Sequence, residues 1–127
     1  MKFRLFIFLL CMLLAGCRES ARNTPEVADI QMSLTVDPTP PVVGDATLLI
    51  TVKDNAGNPV EVQKIAVRGD MTHAGMVPVM GEEATKTDAG YTAPLTWSMG
   101  GDWIVTVEAT LNDGRVVSQE FELTVGS

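Results

Sequence analysis

Gly101-Asp102-Trp103-Ile104-Val105-Thr106-Val107-Glu108-Ala109 alternates with a period of two. Trp103, Val105, Val107 and Ala109 fall on one face of an extended chain, and Ile104, Thr106 and Glu108 on the other. That periodicity belongs to a half-buried β-strand, because successive side chains leave a strand on opposite sides. Trp103 therefore belongs to the core face, where its ring has the most apolar surface to bury. Immediately downstream, Asn112-Asp113-Gly114 carries the Asp-Gly signal of a hairpin. Val117, Phe121, Leu123 and Val125 then resume the alternation, with Gln119 an odd polar member of the same face.

Upstream, the same period recurs. Ile30, Met32, Leu34 and Val36 share a face until Asp37-Pro38-Thr39-Pro40-Pro41, where proline cannot donate to a ladder. Ala46, Leu48, Ile50 and Val52 follow, closed by the turn formers Asp54-Asn55-Ala56-Gly57-Asn58-Pro59. Val60 to Val67 alternates with a change of parity between Val62 and Ile65, which a bulge near Gln63 would accommodate. Glu82–Thr87 alternates weakly, and Gly90–Leu95 makes another short segment. No helical period competes. The pattern predicts an all-β fold over residues 30–127, an immunoglobulin-like antiparallel sandwich of about seven strands.

The N-terminus reads as a targeting segment. Lys2 and Arg4 precede an uncharged apolar run, Leu5–Leu14, followed by the small residues Ala15 and Gly16 and then Cys17. This is the anatomy of a secretory signal peptide over residues 1–16, too short to span a bilayer, which takes about 20 apolar residues. Leu14-Ala15-Gly16-Cys17 also resembles a bacterial lipobox, whose cysteine is acylated and becomes the mature N-terminus. Residues 17–29 then form the lipidated cysteine and a polar, flexible tether. Cys11 leaves with the leader and Cys17 carries lipid, so no disulfide, thiolate metal site or cysteine nucleophile remains. The protein is expected in the cell envelope, extracytoplasmic or periplasmic and held to a membrane. An aspartate after the cysteine would resemble an inner-membrane retention signal, so Arg18 points to the outer membrane in a Gram-negative source.

Loss of Lys2 and Arg4 leaves seven basic against sixteen acidic residues, a formal charge of −9. No basic cluster survives, so nucleic acid is excluded as a partner class. Catalysis finds no support either: the chain lacks a Gly-x-Ser-x-Gly elbow, a His-Glu-x-x-His motif and a phosphate-binding glycine loop. Glu82-Glu83 reads as a solvated pair opening a strand. The chain is expected not to be an enzyme.

Chemistry concentrates in Gly69-Asp70-Met71-Thr72-His73-Ala74-Gly75-Met76-Val77-Pro78-Val79-Met80-Gly81, which holds the sole histidine and three methionines. Met99, in Trp97-Ser98-Met99-Gly100-Gly101, is a further candidate. Thioether sulfur and imidazole nitrogen suit a soft ion and select Cu(I) over Zn²⁺, Mg²⁺ or Ca²⁺. Met71 and His73 lie two apart and would share a side of an extended chain, while Gly75 lets Met76 turn back. Met71, His73 and Met76 are the candidate ligands, with Met80 and Met99 in reserve. A second reading stays open: the loop as an adaptable apolar contact surface of a metal-free interaction module, since methionine packs against many shapes. Trp97 sits in a glycine-flanked turn, either over a bound cation or packed beneath the loop.

The Gly69–Met76 run resembles the Met/His loop of YtkA-like (FixH-related) domains. Gly90-Tyr91, Leu95 and Gly101-Asp102-Trp103-Ile104-Val105-Thr106-Val107 are similar to the same family, over residues 30–125 or so. The resemblance implies a small immunoglobulin-like extracytoplasmic module connected with copper handling or respiratory-oxidase assembly, and hence a copper-protein or oxidase-assembly partner. A single histidine suits Cu(I) better than Cu(II), which prefers nitrogen and oxygen donors.

Overall fold

The computed structural model describes residues 29–127. The leader, Cys17 and all of the tether except Asp29 lie outside the described residues. Eight strands follow in order: β1 (Ile30–Asp37), β2 (Gly44–Asp54), β3 (Val62–Met71), β4 (Val79–Met80), β5 (Thr85–Thr87), β6 (Gly90–Trp97), β7 (Gly101–Leu111) and β8 (Val116–Val125). They form two four-stranded antiparallel sheets, β1-β2-β6-β5 and β4-β3-β7-β8. The fold is the expected all-β sandwich. Its eighth strand is the two-residue β4, too short to announce itself by periodicity. No helix among the described residues is long and apolar enough to cross a membrane.

The alternating faces meet in the middle. Leu48 and Ile50 of β2 face Val105, Val107 and Ala109 of β7, all buried, with Ala93 and Leu95 of β6 and Val67 of β3 completing the centre. The strands that contribute most to this core, β2 and β7, each lie between two partners. The parity change in β3 is resolved by a bulge at Gln63, where the register to β7 slips between Val62 and Lys64. The bulge lets Val62, Ile65 and Val67 all turn toward the core.

Both open sides of the sandwich are sealed by contacts between the sheets. On one side Gln119 uses its side-chain oxygen to accept the Met32 N–H, 3.3 Å away, joining edge strand β8 to edge strand β1. This gives the odd polar member of β8 its purpose: it pairs a backbone donor that β2 cannot reach. On the same side Val43 N–H donates to the Gly126 carbonyl and Gly126 N–H to the Pro41 carbonyl. On the other side the connector after β4 bonds both sheets, Gly81 N–H to Val67 and Glu82 N–H to Pro94. The weak alternation at 82–87 yields only Thr85–Thr87 as strand, fully exposed, with Glu82 and Glu83 in the connector before it.

Two ends result. At the base, the β2–β3 and β7–β8 connections repeat one construction. Gly57 N–H bonds the Asp54 carbonyl and Asp54 N–H the Asn58 carbonyl; Gly114 N–H bonds the Leu111 carbonyl and Leu111 N–H the Arg115 carbonyl. Each contains a tight turn of three residues between the bonded pair, whose glycine has positive φ, +83° at Gly57 and +89° at Gly114, as a type I turn followed by a left-handed residue requires. The chain enters here too, with Asp29 accepting from the Asn55 amide at 2.9 Å. At the opposite end, the tip, lie the β1–β2 loop (38–43), the β3–β4 loop (72–78) and the β6–β7 turn (98–100).

Candidate functional site

The Met/His segment starts as strand and ends as loop. β3 runs four residues past Val67, so Met71 is its last residue, paired with Trp103 of β7. The reason lies at Gly69: a Cβ there would stand 2.9 Å from Val79 Cγ2 and 3.4 Å from the Trp97 ring. Only glycine lets β3 continue over the two indoles. Trp97 and Trp103 meet with ring centroids 5.3 Å apart at 58° and are each 1% exposed. They form the floor of the tip. Trp97 is thus the buried end of β6 and not a turn residue, and its ring packs against that of Trp103. Its indole N–H finds no hydrogen-bond partner among the described residues, whereas the Trp103 indole N–H donates to the Met99 carbonyl at 3.1 Å.

That bond fixes the β6–β7 turn over Trp103 and carries Met99 to the tip. Met71 comes to the same place from β3. Its Cε stands 2.9 Å from where a Cβ would project from Gly101, a residue with φ +134°. Thr72 N–H then donates to the Asp102 carbonyl at 3.1 Å, so the start of the β3–β4 loop is strapped to the start of β7. Beyond Thr72 the chain bends at His73 and turns at Ala74-Gly75, with Gly75 at φ +83°. The extended backbone expected between Met71 and His73 ends at Met71. Met71 is half-buried against the core, while His73 and Met76 are exposed in the loop.

The tip therefore carries Met71 at the end of β3, His73 and Met76 in the loop that follows it, and Met99 in the β6–β7 turn. Met80 is set apart. It pairs with Arg68, three residues back along β3 and so about 10 Å from Met71 at ~3.3 Å per residue. It lies on the outer face of the sheet, 61% exposed, beside a hollow lined by Arg68, Asp70, Thr106 and Glu108. Met71 points the other way, because Arg68 and Asp70 take the outer face and Gly69 and Met71 the inner.

The surrounding charge is acidic. Asp37 and Asp45 flank the tip from the first sheet and Asp102 from the second, all exposed. Asp45 accepts from Thr96 Oγ1 at 2.9 Å and Asp102 from Thr124 Oγ1 at 2.7 Å. Arg68 donates to Asp70 through Nε and Nη2 at 2.8 and 2.9 Å. These bonds hold the Asp70 carboxyl below its ordinary range and raise the guanidinium. Among the described residues no three of His, Cys, Asp and Glu come together to hold a metal ion. Beside these carboxylates the tip offers thioethers and one imidazole, the softer of its donors.

A DUF4426 family protein from Pseudomonas aeruginosa PAO1 has a similar structure, with a TM-score of 0.59 at 10% identity over 77% of this chain and 91% of that one. Looser likenesses are the PmoD soluble domain from Methylocystis sp. ATCC 49242 (Rockwell), TM-score 0.48 at 13% identity over 75% and 90% of the two chains, and CopC from Methylosinus trichosporium OB3b, TM-score 0.43 at 18% identity over 76% and 94%. The first likeness is one of fold, and the other two carry less than that. Comparison with the curated proteins finds no match. The YtkA-like family model matches residues 24–108, from the chain before β1 into β7, and the chain belongs to the YtkA-like family.

Proposed function

We propose that this YtkA-like protein binds Cu(I) as cargo at the tip, through Met71, His73 and Met76 with Met99 from the neighbouring turn, and carries it outside the cytoplasm. Met80 would serve as a secondary thioether on the outer sheet face. The observation that supports the reading is that the end of β3 and the β6–β7 turn meet there: Met71 packs against Gly101 while the Trp103 indole donates to the Met99 carbonyl. Two or three thioethers with one imidazole favour a soft monovalent ion over harder divalent ones. The acidic surroundings add a general attraction for cations. Copper handling or oxidase assembly, which family resemblance suggests, would use such a site for carriage rather than catalysis.

The proposal includes the anchor. Acylated Cys17 would attach the domain to a membrane, and by resemblance to lipoproteins would bear more than one chain, which holds stably where one holds marginally. The domain's first described residues sit at the base, so an anchored domain would present its tip away from the attachment point. An anaerobic competition titration with a Cu(I) chelator tests the site. A single Cu(I) should bind, and at a hundredfold above its Kd should raise stability by about 2.7 kcal/mol. No competition and no shift in Tm would overturn the reading.

A further inference from the structure

The large apolar side chains that the fold leaves in solvent are not scattered. Among the described residues seven are exposed, and five of them, Val42, Val43, Met76, Val77 and Met99, belong to the three tip loops. Val77 is 79% exposed. Met80 lies just below on the outer sheet face, and only Val116 is at the base. A monomer rarely concentrates exposed apolar residues in this way without a use for them.

Acidic residues occur at both ends, but the basic ones are divided along the same axis. Asp37, Asp45 and Asp102 ring the apolar tip. Of the five Lys and Arg among the described residues, Lys53, Lys64, Lys86 and Arg115 sit in the basal half, leaving Arg68, which is bonded to Asp70. The tip is thus an apolar centre within an acidic rim, the arrangement of a recognition surface with a dry middle and a charged edge.

Three occupants are disfavoured by that arrangement. A second copy would bring an identical acidic rim against the first in a two-fold contact. An anionic bilayer surface would be repelled. The chain's own polar N-terminal stretch, Arg18 to Asp29, joins at the base, a strand length of about 26 Å from the tip, and offers few apolar side chains to cover it. We infer that the tip docks a second, different protein whose contact surface has an apolar centre bordered by Lys and Arg. Val77, Val43 and Met99 fill the middle of that contact, and Asp45 and Asp102 meet the partner's cations. This goes beyond the copper reading and does not depend on it.

The test is photo-cross-linking from a photoreactive phenylalanine placed at Val77, at Val43, or as a control at Val116, in the full chain in its own cells with a copper chelator present. The expected result is one and the same protein joined from positions 77 and 43 and not from 116, through a peptide that is apolar and flanked by Lys or Arg. The adduct should be lost when Asp45→Lys and Asp102→Lys are combined, or with added salt, which screens such pairs over a Debye length of about 8 Å. Val77→Asp provides a second variant, at a site too exposed to disturb folding, and should also abolish the adduct formed from position 43. An adduct to a second copy or to lipid, equal labelling at 116, no adduct, or one indifferent to charge reversal and salt would each overturn the inference. Because copper is chelated throughout, failure of the copper site would leave this result unchanged.

Discussion

The two ends of this sandwich are built from the same kinds of residue to opposite effect. At the base, each hairpin satisfies itself: Asp54 accepts the Ala56 and Asn58 N–H groups at 2.9 Å, and Asp113 accepts from the Arg115 N–H at 3.0 Å and from its Nε at 2.8 Å. Glycine closes both loops in three residues, and little apolar surface is left over. At the tip, glycine does something else. Gly69 and Gly101 make room for large side chains, two indoles and the Met71 thioether, so that flexible, soft groups can crowd above a rigid floor. A sealed end costs the protein no function to keep. An end that leaves Met76, Val77 and Met99 in water exposes surface that hydrophobic burial would favour covering, which is why the chemistry is assigned there.

The comparison breaks most sharply at the floor. Trp103→Ala removes a buried ring together with the donor that holds the Met99 carbonyl, and should cost about 3–5 kcal/mol in denaturant unfolding. Any Cu(I) affinity should fall with it, since the turn that carries Met99 loses its strap. A truncation at the base surface, such as Val116→Ala at an exposed position, should stay within about 0.5 kcal/mol. Equal effects at the two positions would mean that the indoles do not support the tip.

Gly101→Ala is the next test. The residue holds φ +134°, where an L side chain is strained, and its Cβ would meet Met71 Cε at 2.9 Å. Loss of about 1–3 kcal/mol is expected from the backbone alone. The thioether can swing aside, so the sharper readout is chemical: Met71 should become more readily oxidised by peroxide, monitored by mass spectrometry, than in the parent. Gly114→Ala at the base is strained by its φ of +89° but meets no atom within 4 Å. It should lose stability without altering the oxidation of any methionine.

These contrasts show where sequence was sufficient. Strand after strand was legible because a half-buried sheet imposes a period of two, and the bulge at Gln63 was legible because the period breaks there. What escaped depends on contacts between distant residues. The alternation was read only to Val67, yet Gly69 lets the strand pass over Trp97, and so the reach of β3 to Met71 could not be read locally. Trp97 itself looked like part of a turn because Gly100 and Gly101 follow, yet it ends a buried strand. Met71, His73 and Met76 were singled out by composition; of these, Met71 is brought beside the turn that holds Met99 by the β3–β7 pairing. Met80 shares that composition but faces outward, a consequence of the parity of a two-residue strand. Val42, Val43 and Val77 obey no period, so nothing in the sequence marked them as a surface.

Gln119 sharpens the comparison from the side wall, between the two ends. Its side-chain oxygen accepts the Met32 N–H at 3.3 Å and closes the β1–β8 edge. Gln119→Ala should cost about 1 kcal/mol, the usual net value of one such bond. Amide hydrogen exchange at Met32 should quicken, while exchange at Thr72, which is bonded to Asp102 at the tip, should not change. Matching acceleration at both sites would show that the edge and the tip open as one unit.

The smallest effect belongs to the base. Hydrogen bonding from the Arg115 backbone N–H, reinforced by its side chain, lowers the Asp113 pKa from its ordinary value of 3.8. A carboxyl whose folded pKa lies below its unfolded one binds fewer protons when folded, so it contributes stability above the unfolded value and loses it as pH falls through the folded one. The contribution is therefore fully present at neutral pH and fades below about pH 4. Asp113→Asn should lower the denaturant midpoint slightly at pH 7 and flatten its decline in acid, so that the two proteins converge at low pH. Asp113 is exposed and Arg115 only half-buried, and screening keeps the difference near the limit of measurement. Cu(I) titration curves of parent and variant should superimpose at pH 7, because this carboxylate caps the hairpin at the end of the molecule away from the methionines. A shift in copper affinity on Asp113→Asn would mean that the ends communicate and that the division between a sealed base and an open tip is wrong.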